Sequence, residues 1–177
     1  MTDQAAASGS ALTEHPELDR FLAALEDGGW RDGEVLPRHQ AGCYGCGPDN
    51  PAGFGLEAVA APGGGVRAEM TFDDRYLGAP GLVHGGALAG VLDDLFGMVM
   101  VRELIPAVTV DLAVRYRRPI HLGVPCVLTG HLVERDGKDV HVAAEVHQHD
   151  ELKVTSTARF RVISPERMAN RYERVDP

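Results

Sequence analysis

The chain has 177 residues, a formal net charge of −9 and a pI near 5.3. That length suits one domain with a full core, and the acidic balance argues against nucleic acid, whose phosphates are held by clustered Lys and Arg. Three cysteines, an odd number, behind an N-terminus without the basic-then-apolar layout of a secretory signal, read as reduced thiols and a cytoplasmic location.

In chain order, residues 1–14 are small and polar and read as a tail. In 16–29, Leu18, Phe21, Leu22 and Leu25 recur at helical spacing, with Pro16 in the first turn and Gly28-Gly29 as a stop. Residues 40–55, dense in Gly, Pro, Asn and Asp, read as an irregular loop. Extended runs at 56–61 and 66–72, joined by the turn 62–66, predict a hairpin. A helix over 86–103 follows, ending before Pro106. Its apolar run is broken by Asp93 and Asp94, so it is no membrane span. Four extended runs close the domain at 108–116, 126–134, 139–148 and 153–162, with connections at 135–139 and 149–152. The third alternates most clearly: Val140, Val142, Ala144 and Val146 face one way, and His141, Ala143, Glu145, His147 and His149 the other. With no βαβ rhythm, the class is α+β: a curved antiparallel sheet wrapped around one apolar helix, with an N-terminal helical extension. The expected domains are 1–40, a tail and short helix; 41–165, the sheet and central helix; and 166–177, a C-terminal tail.

On a 100° wheel Gly86, Gly90, Asp93 and Gly97 form one narrow stripe of the central helix, with Leu88, Val91, Leu92, Leu95 and Val99 around it. Glycine inside a helix costs about 1 kcal/mol relative to alanine, so something compensates. The stripe predicts a slot above Asp93 that a ligand or another backbone can approach, and a carboxylate on so apolar a helix is paired, hydrogen-bonded or functional. At the helix head, His84, Gly85 and Gly86 offer unpaired backbone N–H groups and the positive end of the dipole, a place for a carbonyl oxygen gaining charge. Asp93 stands roughly 10 Å further along the axis. His84 reads better as a bond to the loop backbone than as a base, since its protonated form is disfavoured at that end of a helix.

Other motifs carry less. Cys43-x-x-Cys46 with His39 upstream suits either zinc or redox cycling, but it offers three metal ligands where a structural zinc site takes four, and no second CxxC exists; no metal is expected. Glu145, His147 and His149 share a strand face, as a solvated face also would. There is no GxSxG elbow and no phosphate-binding GxxxxGK[ST] loop. "GFGLEA" (53–58) fits a loosened dinucleotide fingerprint, but no strand precedes it and no helix follows.

The segment "VHGGALAGVLDD" resembles the signature of hotdog-fold acyl-CoA thioesterases of the phenylacetic-acid-pathway type, within the 4-hydroxybenzoyl-CoA thioesterase superfamily, in which the acid stands nine residues after the histidine. "CYGCGPDNPAGFGLEA" and "VTVDLAVRYRRPIHLG" are similar to the leader and to the strand after the helix in a mitochondrial and bacterial branch of that superfamily. The resemblance implies hydrolysis of acyl-CoA in fatty acid metabolism. Asp93 would be the base or nucleophile, the Gly85 and Gly86 amides would polarise the thioester carbonyl, and Thr109 would orient Asp93 or water across a dimer interface. It also implies a homodimer or homotetramer, each site drawing on two chains. No cofactor is expected, coenzyme A being part of the substrate; no nucleic acid or membrane partner is expected either.

Arg115, Arg117 and Arg118 are the candidate cationic rim for coenzyme A phosphates, with Leu77 and Gly90 as further substrate contacts. Leu88, Leu92, Phe96 and Met100 are the candidate lining of an acyl tunnel. Leu77 departs from the family pattern, where many relatives carry a polar residue, and so keeps open a non-catalytic protein binding acyl-CoA or another hydrophobic ligand. A hydratase on the same fold is a third option, but its paired Asp and His motif is not evident.

Overall fold

The computed structural model describes residues 16–164. It contains α1 (Pro16–Asp27), β1 (Ala58–Ala60), β2 (Val66–Thr71), a 3-10 turn (Asp74–Tyr76), α2 (Gly85–Arg102), β3 (Ala107–Tyr116), β4 (Pro125–Asp136), β5 (Asp139–Gln148) and β6 (Glu151–Val162). The strands form one antiparallel sheet in the order β1-β2-β4-β5-β6-β3, and α2 touches every one of them. The expected helix-wrapped sheet is the observed architecture. The tails expected at 1–14 and 166–177 lie outside the described residues, as do the side chains of Leu18 and Leu22. On the rest of α1, Ala24 is buried and Leu25 is 49% exposed, so the expected stripe does not bury as a whole.

The core is the interface between α2 and the concave face of the sheet. Leu92, Leu95, Phe96, Met98 and Val99 of the helix are sealed against Leu128, Val140, Val142, Val146 and Val154, each large side chain contributing about 2–3 kcal/mol through removal from water. The alternation read from β5 holds, with Val140, Val142, Ala144 and Val146 all buried. At Gly130 of β4 a Cβ would come within 3.1 Å of Val99 Cγ2, so this glycine lets the helix press onto the sheet. The β5–β6 connection is tighter than the four residues expected. It is the two-residue turn His149-Asp150, both at positive φ (54° and 59°), so β6 starts at Glu151; backbone of that hand matches the twist of a hairpin.

The segment before residue 41 packs into the same core. Trp30 and Leu36 are buried, Val35 bridges Val59, and the Trp30 indole N–H donates to Val101 O at 3.0 Å. No described helix is long and apolar enough to cross a membrane.

Candidate active site

The head of α2 is built around His84. Its backbone is extended (φ −64°, ψ 133°) and its Nδ1 accepts a hydrogen bond from the Gly86 amide at 2.9 Å. This is an N-cap made by an imidazole where a hydroxyl or carboxylate is usual, and Nδ1 must be unprotonated to make it. His84 therefore bonds the loop backbone, as expected, but the cap changes the reading of Gly86. Its amide is already engaged, whereas the Gly85 amide makes no hydrogen bond among the described residues. Tyr116, at the end of β3, donates its hydroxyl to Gly85 O at 2.7 Å and lays its ring on Gly85. No local pattern marks Tyr116, because only the packing of β3 beside α2 brings it there.

Asp93 is exposed, two turns along α2. Thr109 Oγ1 donates to its Oδ1 at 2.8 Å, a bond made within one chain. The β3–β6 register shifts between Thr109 and Asp111; an extra strand residue of this kind re-aims its neighbours, and here the neighbour is the threonine that meets Asp93. A hydrogen bond to a charged acceptor is worth about 1.5–3 kcal/mol. Thr109→Ala is accordingly expected to lower kcat roughly 10-fold with little change in KM, and Thr109→Ser to recover most of it, as steady-state kinetics will show.

The glycine stripe does not leave an open slot. A Cβ at Gly90 would lie 2.9 Å from two atoms of the Phe54 ring, and one at Gly97 would lie 2.8 Å from His39 Cε1. Both rings come from the 39–54 segment, so the glycines seat that loop on the helix, and this packing compensates the helix penalty. Gly90, expected as a substrate contact, is covered by Phe54, whose ring packs on Tyr44 and Tyr76 at centroid distances of 5.0 and 5.4 Å. Of the expected acyl lining, Leu92, Phe96 and Met100 are packed core, and Leu88 lines a cavity at the helix head.

That cavity, about 450 Å³, opens at the helix head beside His84, Gly85, Leu88 and Tyr116, with Arg117 and Arg118 on its rim. Arg118 pairs with Glu151 at 2.6 Å, and Arg117 Nε donates to Thr155 Oγ1 at 3.4 Å. Arg115 is exposed and stands outside the lining, as does Leu77, 52% exposed.

A second cluster lies on the other side of the stripe. Asp94, only 9% exposed, faces His39, Cys43 and Cys46. Its Oδ1 is 3.4 Å from His39 Nδ1 and 3.8 Å from Cys43 Sγ; His39 Nδ1 is 3.9 Å from Cys43 Sγ and 3.3 Å from Cys46 Sγ. Burial would pull the His39 pKa down, but hydrogen bonds to Asp94 and Cys43 outweigh it and raise it to about 9. Hydrogen bonds from Cys46 and His39 hold Cys43 down at about 3. Cys46 is pushed up because it donates to Cys43 and is buried, and burial raises Asp94. Three of these ligand-type residues are expected from their spacing; Asp94 is the fourth. Asp94 lies about 40° from Gly90 on the helical wheel, on the side that meets the loop.

Residues 80–155 match the family model of the Thioesterase superfamily. A solved thioesterase superfamily protein is 30% identical, covering 90% of this chain and 85% of its own, with a TM-score of 0.65. The mouse acyl-coenzyme A thioesterase THEM4 is 34% identical over 92 residues, 51% of this chain and 40% of its own, so the chain spans less than half of that relative. A protein of Streptococcus mutans solved with acetyl CoA shares the fold at 22% identity and a TM-score of 0.58, over 62% of this chain and 89% of its own. The sheet wrapped on α2, the capped helix head and these matches together make the chain a member of the thioesterase superfamily, with the hotdog fold.

Proposed function

We propose that this protein hydrolyses acyl-CoA thioesters to free acid and coenzyme A. The observation that carries the reading is the solvent-facing Asp93 carboxylate held by Thr109 at 2.8 Å on the helix whose head bears the Gly85 amide and an arginine-rimmed cavity. The carboxylate removes a proton from water as the water attacks the carbonyl, or itself attacks to give a mixed anhydride that water then opens. Either way the thioester C–S bond breaks and the thiol leaves with a proton. The Gly85 amide stabilises the oxyanion, and Arg117 and Arg118 meet coenzyme A phosphates. Coenzyme A belongs to the substrate. The acyl-CoA thioesterase named among the relatives and the acetyl-CoA-bound structure support the substrate class.

The reading requires two chains. Within one chain the Gly85 amide and Asp93 are roughly 12 Å apart along the helix, too far to serve one carbonyl carbon. β3 is an edge strand with Val110 49% and Tyr116 51% exposed, and a long apolar edge of this kind favours pairing. A homodimer, alone or doubled into a tetramer, joins the helix head of one chain to Asp93 of the other.

The test is thiol release from acyl-CoAs ranging from acetyl through palmitoyl, with phenylacetyl and benzoyl, on protein whose mass is measured by light scattering. Turnover well above background by a dimer or tetramer is expected. Saturable binding of acyl-CoA without turnover would instead establish the binding-protein reading, which the apolar Leu77 beside the helix head favours.

A further inference from the structure

We propose that His39, Cys43, Cys46 and Asp94 form a closed four-ligand zinc site that clamps the 39–54 loop onto α2. The site is independent of the proposed hydrolysis. Its ligand atoms, His39 Nδ1, the two Sγ atoms and an Asp94 oxygen, all lie within 4.8 Å of one another. A tetrahedral zinc, with bonds of about 2.0–2.1 Å to nitrogen or oxygen and about 2.3 Å to sulfur, spaces N and O ligands about 3.3–3.4 Å apart and either of them about 3.6 Å from sulfur. The structure has 3.4 Å between His39 Nδ1 and Asp94 Oδ1. The nitrogen–sulfur separations are 3.3 and 3.9 Å, and the oxygen–sulfur separation to Cys43 is 3.8 Å. Four of the six edges thus match a zinc tetrahedron to within about 0.3 Å, and the other two, Cys43–Cys46 and Cys46–Asp94, are no longer than 4.8 Å.

Three further features point the same way. Both cysteines are free thiols rather than a disulfide. Asp94 Oδ2 is buried without a hydrogen-bond partner, an unfavourable state that a neighbouring cation relieves. A backbone amide is already aimed at one of the sulfurs: His39 N–H donates to Cys46 Sγ at 3.3 Å. Such outer hydrogen bonds orient and charge-stabilise thiolate ligands. The surroundings also make room for the cluster. A Cβ at Gly45 would overlap the Asp94 carboxyl, and one at Gly97 would strike the His39 ring. Two thiolates, an imidazole and a carboxylate favour zinc over the all-oxygen cations, and four protein ligands leave no open coordination position for chemistry. The role is structural: the metal holds the loop that carries Phe54 and fixes the helix beside Asp93.

Elemental analysis of the full-length protein, purified under reducing conditions with zinc supplied, is expected to find one zinc per chain. After removal with a chelator, titration with Co(II) should give the intense visible absorption of a tetrahedral ion and a thiolate charge-transfer band, saturating at one per chain. Chelation should lower Tm by roughly 10 °C, the shift that loss of a tightly bound native-state ligand gives a domain of this size. Cys46→Ser and Asp94→Ala should abolish the spectrum, Asp94→His should restore it, and Cys126→Ser should leave it unchanged. Reduced wild-type protein that neither carries zinc nor develops the Co(II) spectrum overturns the proposal, with no variant needed to interpret it. So does a spectrum that persists in Cys46→Ser, and so does recovery of metal-free protein with a Cys43–Cys46 disulfide, which would assign the pair to redox chemistry.

Discussion

Asp93→Asn is expected to lower kcat for acyl-CoA hydrolysis by roughly 10²–10⁴-fold, the range that positioned general acid–base groups contribute. The amide has the shape of the carboxylate and its oxygen still accepts from the Thr109 hydroxyl, so the 2.8 Å contact has a counterpart in the variant. Asp93 is also exposed, so the exchange leaves the core untouched. Folding, oligomeric mass and Tm should match the wild type, and KM should change little. What the amide lacks is the basicity to take a proton from water and the nucleophilicity to attack a carbonyl. A loss smaller than about 3-fold in kcat, below the range given above, would remove Asp93 from the chemistry. A single turnover in isotopically labelled water separates the two mechanisms, since a mixed anhydride leaves label in the Asp93 carboxylate when water attacks there, whereas a general base delivers it to the product acid at once.

A large loss of stability is expected from Gln148→Ala. Gln148 is 1% exposed and sits at the end of β5. Its Nε2 donates to His121 O at 3.0 Å and to Val124 O at 3.1 Å, and its Oε1 accepts from the His121 amide at 3.0 Å. One side chain thus satisfies three backbone groups of the connection between β3 and β4. Removing it leaves them unpaired at about 1–3 kcal/mol for each buried group; with partial access of water the expected net loss is about 3 kcal/mol, or a fall in Tm of roughly 6–12 °C. Gln148→Glu, which keeps the volume but loses both donors, should also destabilise. A Tm in Gln148→Glu equal to the wild type would show that volume rather than hydrogen bonding matters here. The connection also reaches the candidate active site, because Ile120 O accepts the Val83 amide and Leu82 bridges His121, immediately before His84.

Local patterns made the fold legible. The strands of the C-terminal half and the long helix are written as period-2 and period-3.6 alternation, and the turns as Gly, Pro and Asp, all within a few residues of one another. The family resemblance singled out Asp93, Thr109 and the helix head as candidates. Two local details escaped. The His149-Asp150 turn carries no glycine, although both residues adopt the left-handed backbone. The expected stripe of α1 gave no sign that Leu25 would be exposed while Ala24 is buried.

The sequence by itself determined the α+β class, the helix-wrapped sheet and the candidacy of Asp93, because each rests on short-range periodicity or on a contiguous motif. Only the tertiary structure decided what the glycine stripe receives. Phe54 and His39 are remote from Gly90 and Gly97 along the chain, and no local pattern says which ring fills which gap. The same holds for Asp94 as the fourth group beside His39, Cys43 and Cys46, for Tyr116 over Gly85, and for the cap that engages Gly86. Sequence periodicity assigns a residue to a face of its own element; the partner on that face is set by the packing of elements far apart in the chain.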